Sequence, residues 1–487
     1  MDKKLRKNIL KGSAATSIGT ISANLFNFIT VMVLTRYVSK DDLGIYVLVI
    51  VIINMFNLLG GFGLDISMIK FIASKNTEER QSILLPVLVV SAIGSLLISL
   101  IFILTGRYIM HLFDDRIFRY VWYILIIFIL ANYRDLFYSL MQGLNQFKQY
   151  SIVNVTSSAF RILIIFVFLL FSKLDIKILL IIEILSTLQP LIHQLFVIPF
   201  KKYLNIKPTW ETYKKLINFS IPIYLNNLVV FINSQINIFV VGAYLTPASV
   251  ANYDVARKVP VALRKMFRSF IIVYFPNLAT LYSAGDKKTA VKLTEKSLGI
   301  FSISLALLFV FSFLFRHELT VLLFSARYTN VSMAFALLIL NFFLRGLGDL
   351  MGYPFVPAGY PSVPTWINAL GSVISIGLSF LFVPNYGYMG AVYALLIMNL
   401  VTTSLFYLSL VRYDITPDMK SFLKPVTLFL IAPLSFLFSG KYTFLLNSSL
   451  FLIALILGWI ISEDFRSVTK LFLSYLQKHI QHKNLSA

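Results

Sequence analysis

Five cations crowd one apolar stretch of this sequence: Arg257, Lys258, Arg264, Lys265 and Arg268, between Asp254 and Arg268. On a helix, Arg257, Arg264 and Arg268 fall on one side, because steps of 7 and 11 residues return to nearly the same direction. Lys258 and Lys265 lie one step around. The result is a cationic face about 16 Å long at ~1.5 Å per residue. Charge at membrane depth is costly and faces a wet cavity or a partner. A cationic face of this kind suits an anion that crosses a membrane. A plainer reading stands beside it. Asp254 can pair with Arg257 and Lys258 at i+3 and i+4, while Arg264, Lys265 and Arg268 snorkel to the cytoplasmic headgroups. Pro260 sits between the two cation groups and is predicted to bend the helix.

Other charged residues also stand in apolar segments. Arg134 and Asp135 are adjacent, so they are expected to address different neighbours. Arg161 follows Thr156-Ser157-Ser158 and has no acid close in sequence. It is therefore grouped with the cationic face as an anion ligand. Glu183 lacks a local cation; it is neutral, paired with an arginine, or a proton carrier. Asp65 follows Gly60-Gly61-Phe62-Gly63 and reads as a hinge residue, a cap or a local pair. Arg345 and Asp349 are i,i+4 partners. His193 has no ligating neighbour at metal spacing.

The elements that must hold these groups are membrane helices. Of 487 residues, 58% are hydrophobic and only 13% are charged. Apolar runs of about 20 residues follow one another, so the fold class is an all-α polytopic membrane protein. The short alternating segments of a β-barrel do not occur. Fourteen spans are predicted, near 13–35, 43–64, 83–104, 118–139, 151–171, 178–198, 218–243, 253–282, 297–315, 331–352, 363–383, 388–410, 425–439 and 443–461. The first is read as a retained span rather than a cleaved signal. The net charge of +22 reflects loop asymmetry rather than nucleic-acid binding. With the N-terminus inside, 25 of the 43 Lys and Arg lie in cytoplasmic segments and ten on the other side. Both termini are therefore expected in the cytoplasm. With no cysteine, thiol catalysis, disulfides and thiolate metal sites are excluded.

The chain repeats itself. Tyr37-Val-Ser-Lys-Asp-Asp-Leu-Gly-Ile-Tyr46 aligns without gaps to Tyr244-Leu-Thr-Pro-Ala-Ser-Val-Ala-Asn-Tyr253 at an offset of 207. Ser13, Thr20 and Asn27 then match Ser220, Asn227 and Ser234, one polar helix face in each half. Six spans lie in each half, so the repeats are parallel. The expected layout is an N-lobe at 1–203 and a C-lobe at 204–412, related by a pseudo-two-fold axis along the membrane normal. Two further spans and a basic tail follow at 413–487. The partners of the five cations are Ile50, Val51, Asn57, Leu58 and Gly61. The cationic face therefore belongs to the second half only.

Enzyme signatures are missing. There is no Walker A sequence, and His317-Glu318 lacks the second His of a zinc protease. Gly346-Leu-Gly348 lies inside an apolar span, not after a strand. No catalytic residue, cofactor or metal is expected.

Lys11-Gly12-Ser13, then Leu34-Thr35-Arg36-Tyr37-Val38-Ser39-Lys40-Asp41-Asp42-Leu43-Gly44-Ile45-Tyr46, then Gly61-Phe62-Gly63-Leu64-Asp65, resembles the polysaccharide transporter (Wzx-type) flippases. The echo at Tyr244 to Tyr253, and Phe275-Pro276 followed by Gly285-Asp286, resemble the same family. Its superfamily includes the lipid II flippases and the MATE exporters. The resemblance implies a bacterial cytoplasmic-membrane carrier with a two-lobed cavity. It implies a polyprenyl-pyrophosphate-linked oligosaccharide as substrate, and as partners the lipid bilayer and the polymerase and glycosyltransferases of the same pathway. On that reading the cations would meet the phosphates, and Thr20, Asn24, Asn27, Asn227, Asn233 and Ser234 would meet sugar hydroxyls. The alternatives are a MATE-like cation or drug exporter and a membrane-embedded polymerase or glycosyltransferase. Arginine-rich walls oppose the first, and the lack of a long external loop opposes the second.

Overall fold

The computed structural model describes residues 3–74, 82–200, 203, 208–437, 443–463, 466–467 and 469. Among them every regular element is a helix. In lipid, each backbone polar group must be satisfied within its own segment, and helices achieve this.

The first seven helices are α1 (Lys3–Tyr37), α2 (Lys40–Gly61), α3 (Leu64–Ile72), α4 (Leu84–His111), α5 (Val121–Gly143), α6 (Phe147–Phe171) and α7 (Ile176–Val197). Next come α8 (Trp210–Tyr244), α9 (Pro247–Ser283), α10 (Lys287–Leu314), α11 (Arg316–Leu323) and α12 (Ser332–Gly352). The chain ends with α13 (Ser362–Tyr386), α14 (Tyr388–Arg412), α15 (Met419–Leu423), a 3-10 segment at Lys424–Leu437 and α16 (Thr443–Ile461).

Eleven helical segments are long and apolar enough to cross a membrane, among the described residues. The chain is a multi-pass membrane protein. The remaining three expected spans fall on α1, on α9 and on the 3-10 segment. The α9 helix holds five cations in its middle. The 3-10 segment has only 14 residues, but at ~2.0 Å per residue it reaches about 28 Å. That is close to the ~30 Å of a hydrocarbon core. A stretch too short to span as an α-helix is thus nearly long enough in the tighter coil.

Packing divides the chain into two compact units, residues 1–254 and 255–487. The break falls inside α9. This division follows packing, whereas the repeat follows chain order.

In the first unit, α2 packs on α4, α5 and α8. Its Phe56 meets Phe102 at 4.7 Å and Phe128 at 5.7 Å between ring centres. A second core joins Leu64, Met68 and Ile72 of α3 to Leu136 and Leu140 of α5 and Leu216 of α8. Between α2 and α3 the helix breaks. Phe62 adopts φ 46° and Gly63 φ 71°, two left-handed residues in succession. The break is held against α8, where Ser67 Oγ lies 2.6 Å from Ser220 Oγ. Lys70 Nζ stands 3.5 Å over the Phe219 ring. In the second unit, Phe429 of the 3-10 segment meets Phe309 at 4.8 Å and Phe343 at 5.0 Å. Asn399 Nδ2 donates to Asn341 Oδ1 at 2.6 Å and ties α14 to α12. Polar side chains tie helices together in this way where the surrounding lipid is as apolar as their packing faces.

Candidate functional site

Polar residues recur at helical spacing on one face of α6: Asn154, Ser157, Ser158 and Arg161, steps of three, one and three. On α7 the same pattern gives Glu183, Ser186 and Thr187. Such residues lie one above another on a helix. The two stripes meet, and with Arg134, Asp135 and Tyr138 of α5 and Asn27 of α1 they line a polar cavity of about 290 Å³. Every lining residue belongs to the first unit.

Two ion pairs sit in the cavity wall. Arg161 Nη2 lies 2.6 Å from Glu183 Oε2. Tyr46 of α2 donates its hydroxyl to the same Glu183 oxygen at 2.5 Å, and its own oxygen accepts from Arg161. Arg134 Nε lies 2.8 Å from Asp135 Oδ1. Two guanidinium groups thus face two carboxylates, and the formal charge of the wall is zero. The serines are engaged with backbone: Ser158 donates to Asn154 O at 3.1 Å and Ser186 to Ile182 O at 2.6 Å. Their oxygens keep acceptor capacity toward the cavity.

This arrangement corrects one expectation and completes another. Arg134 and Asp135 bond each other rather than separate neighbours. The arginine chain is long enough to fold back along the helix to the next residue. Arg161, which has no acid close in sequence, finds one on the next helix. Glu183 is thereby the arginine-paired carboxylate. Sequence reasoning does not single out Tyr46, Tyr138, Asn154, Ser186 or Thr187. The i, i+3, i+4 polar stripes on α6 and α7 are the signal that could have found them.

The polar stripes of the first and eighth helices divide. Asn27 lines the cavity. Thr20 is exposed and Asn24 half-buried on α1. On α8, Asn227 is half-buried, while Asn233 and Ser234 are exposed; Ser234 Oγ donates to Phe231 O at 2.9 Å. Asp65 lies in the first turn of α3, where a carboxylate favours the helix dipole. Its helix is capped by Gly63, not by Asp65. Arg345 and Asp349 pair at 3.0 Å within α12, as expected.

The cationic helix forms as predicted, as part of a 37-residue α9 that runs through Pro260 and Pro276. Asp254 is buried, Arg257 and Lys258 are half-buried, and Arg264 and Lys265 are exposed. The Arg268 side chain lies outside the described residues. Within the cationic stretch, Phe267 packs on Phe301 at 4.4 Å between centres. Tyr274 donates to Thr294 Oγ1 at 3.1 Å. The apolar side of α9 is thus fixed to α10 within the second unit. A separate hollow of about 420 Å³ in that unit is lined by Phe382, Tyr386, Tyr393, Leu396 and Ile397 and holds no charged group.

Comparison with solved structures shows the fold. The chain is similar to a lipid II flippase MurJ in an inward closed conformation, with a TM-score of 0.72 and 16% identity, over 94% of this chain and 99% of that one. It is similar to a MATE-family multidrug resistance transporter of the MOP superfamily in an inward-facing conformation, with a TM-score of 0.62 and 13% identity over 82% and 95% of the two chains. A Vibrio cholerae MATE transporter gives a TM-score of 0.54 at 16% identity, over 85% and 98%. No curated protein sequence matches the chain. The family model described as polysaccharide biosynthesis protein matches residues 9–282, more than half of the chain and both repeat motifs. The chain belongs to the polysaccharide biosynthesis protein family.

Proposed function

We propose that this protein is a flippase that moves a polyprenyl-pyrophosphate-linked oligosaccharide from the cytoplasmic to the outer leaflet, for surface polysaccharide biosynthesis. The observation that carries this reading is the cationic face of α9, in a multi-pass membrane protein of a polysaccharide biosynthesis family. Arg257, Lys258, Arg264, Lys265 and Arg268 would compensate a diphosphate, as guanidinium and ammonium groups do. The polyprenyl tail would stay in lipid, and no bond is made or broken, so the protein is a carrier and not an enzyme. Its lobes are those of the repeat, 1–203 and 204–412, followed by 413–487, and they would expose the substrate to each side in turn.

The membrane would be the bacterial cytoplasmic membrane. Both termini would face the cytoplasm, on the strength of the 25-to-10 distribution of Lys and Arg. Glycosyltransferases and a polymerase of the same pathway would supply and consume the substrate. The fold is shared with multidrug transporters, but cationic drugs favour acidic or aromatic walls over arginine and lysine.

The test is export of surface glycan by cells that depend on this chain. Arg257→Gln combined with Arg264→Gln is expected to abolish export while membrane insertion persists. Export at the wild-type rate from that double variant would remove the basis of the assignment.

A further inference from the structure

The polar cavity of the first unit balances its own charge. Its two arginines are each held by a carboxylate, at 2.6 and 2.8 Å. A diphosphate placed there would stand among two carboxylates whose counter-charges are already satisfied. The two arginines stand at similar range, so attraction and repulsion largely cancel and a neutral wall gives an anion no net electrostatic gain.

We propose that this cavity is a subsite for one uncharged sugar ring of the lipid-linked glycan, separate in chemistry from the phosphate ligands. The inference rests on the flippase reading above. A sugar hydroxyl both donates and accepts, and the wall offers both functions side by side. Asp135 and Glu183 accept, having more lone-pair positions than their arginines occupy. Arg134 and Arg161 donate in fixed planar forks. Asn27 and Asn154 do both through their amides. Tyr138 also lines the cavity. A cavity of about 290 Å³ lies at the lower end of small-molecule sites, ~300–1,000 Å³. It has room for a single ring, not for a whole repeat unit. The ion pairs have a second consequence. They fix the guanidinium and carboxylate planes before the sugar arrives, so little side-chain order remains to be lost on binding.

The experiment uses the full chain in lipid nanodiscs and measures dissociation constants for two kinds of probe. One is undecaprenyl pyrophosphate carrying a single glucose, galactose, N-acetylglucosamine or N-acetylgalactosamine. The other is bare undecaprenyl pyrophosphate. The wild type is expected to bind at least one sugar-bearing lipid more tightly than the bare one. Asn27→Ala and Asn154→Ala are each expected to weaken that lipid about tenfold, the loss of about 1.4 kcal/mol. Binding of the bare lipid should stay within about twofold under the same substitutions, since the diphosphate has other ligands and independent sites act additively. Equal losses for both probes, unchanged affinity in both variants, or a wild type indifferent to every sugar each overturn the subsite and leave the flippase reading standing. A wild type that binds neither kind of lipid overturns the flippase reading, and the subsite with it.

Discussion

Arg161 and Glu183, 22 positions apart on successive helices, close a partly buried ion pair at 2.6 Å that Tyr46 completes from a third helix. The pair therefore links α2, α6 and α7, and its parts are not independent. Removing one charge leaves the other stranded, whereas removing both does not.

For stability, Glu183→Gln alone is expected to cost about 3–5 kcal/mol, because it leaves the Arg161 guanidinium without its carboxylate. Combining it with Arg161→Met should recover most of that loss. Thermal unfolding of purified protein in detergent reads the difference. A double variant no more stable than the single one would show that the charges do not act as a pair.

The break between α2 and α3 depends on Gly63. Its φ of 71° disfavours any side chain, and an added Cβ would stand 3.0 Å from the Ser220 carbonyl oxygen and 3.1 Å from the Tyr224 nitrogen. Gly63→Ala is expected to lower stability by about 1–2 kcal/mol from the left-handed conformation alone. The clash with α8 adds to that. Gly44→Ala should be worse, since its Cβ would fall 1.8 Å from the Pro247 carbonyl oxygen, a backbone atom that cannot step aside. Expression and melting of the two variants should rank in that order, and a Gly44→Ala protein as stable as wild type would refute the close approach.

Asn447 anchors the last membrane helix. Its Nδ2 donates to the Leu314 carbonyl at 2.8 Å, one of the final carbonyls of α10 that have no partner within their own helix. Asn447→Leu is expected to cost about 1–3 kcal/mol, because a buried acceptor is left without its donor. Limited proteolysis after residue 437 should quicken in that variant if α16 detaches from α10. Unaltered cleavage would mean that apolar packing alone holds the helix.

At the ends of two spans, Arg116 bridges two carboxylates, reaching Asp114, just outside its span, at 2.7 Å and Asp41 at 2.5 Å. Its hydrogen bonds hold the Asp114 carboxyl below the ordinary value of 3.8. A carboxyl depressed in the folded state adds stability above its unfolded pKa, and that stability fades as pH falls through the depressed value. The bridge should therefore support the protein at neutral pH and fail in acid below about pH 4, where unfolded Asp takes up a proton. Arg116→Ala should lose melting temperature at pH 7 and lose progressively less as pH is lowered. A deficit independent of pH would point to packing instead.

The sequence by itself determined what depends on local order and composition. Runs of apolar residues dictated helices, because no other open backbone satisfies its polar groups in lipid. The 207-residue repeat and the Tyr37–Tyr46 motif pointed to the family that the family model confirms. The i,i+4 pair of Arg345 and Asp349 was legible because both partners share one helix face. The helix that carries the α9 cations was legible as well. Tertiary structure decided what lies across helices. Arg161 stood without an acid in its own span, and only the packing of α6 on α7 brought it Glu183. Tyr46 entered the cluster from α2, at a sequence distance no periodicity could reveal. The adjacent Arg134 and Asp135 bonded each other because a long, flexible side chain is not confined to its helical direction. The charge that Arg161 brings to α6 is balanced by Glu183 on α7, and only that packing makes the wall of the first-unit cavity formally neutral.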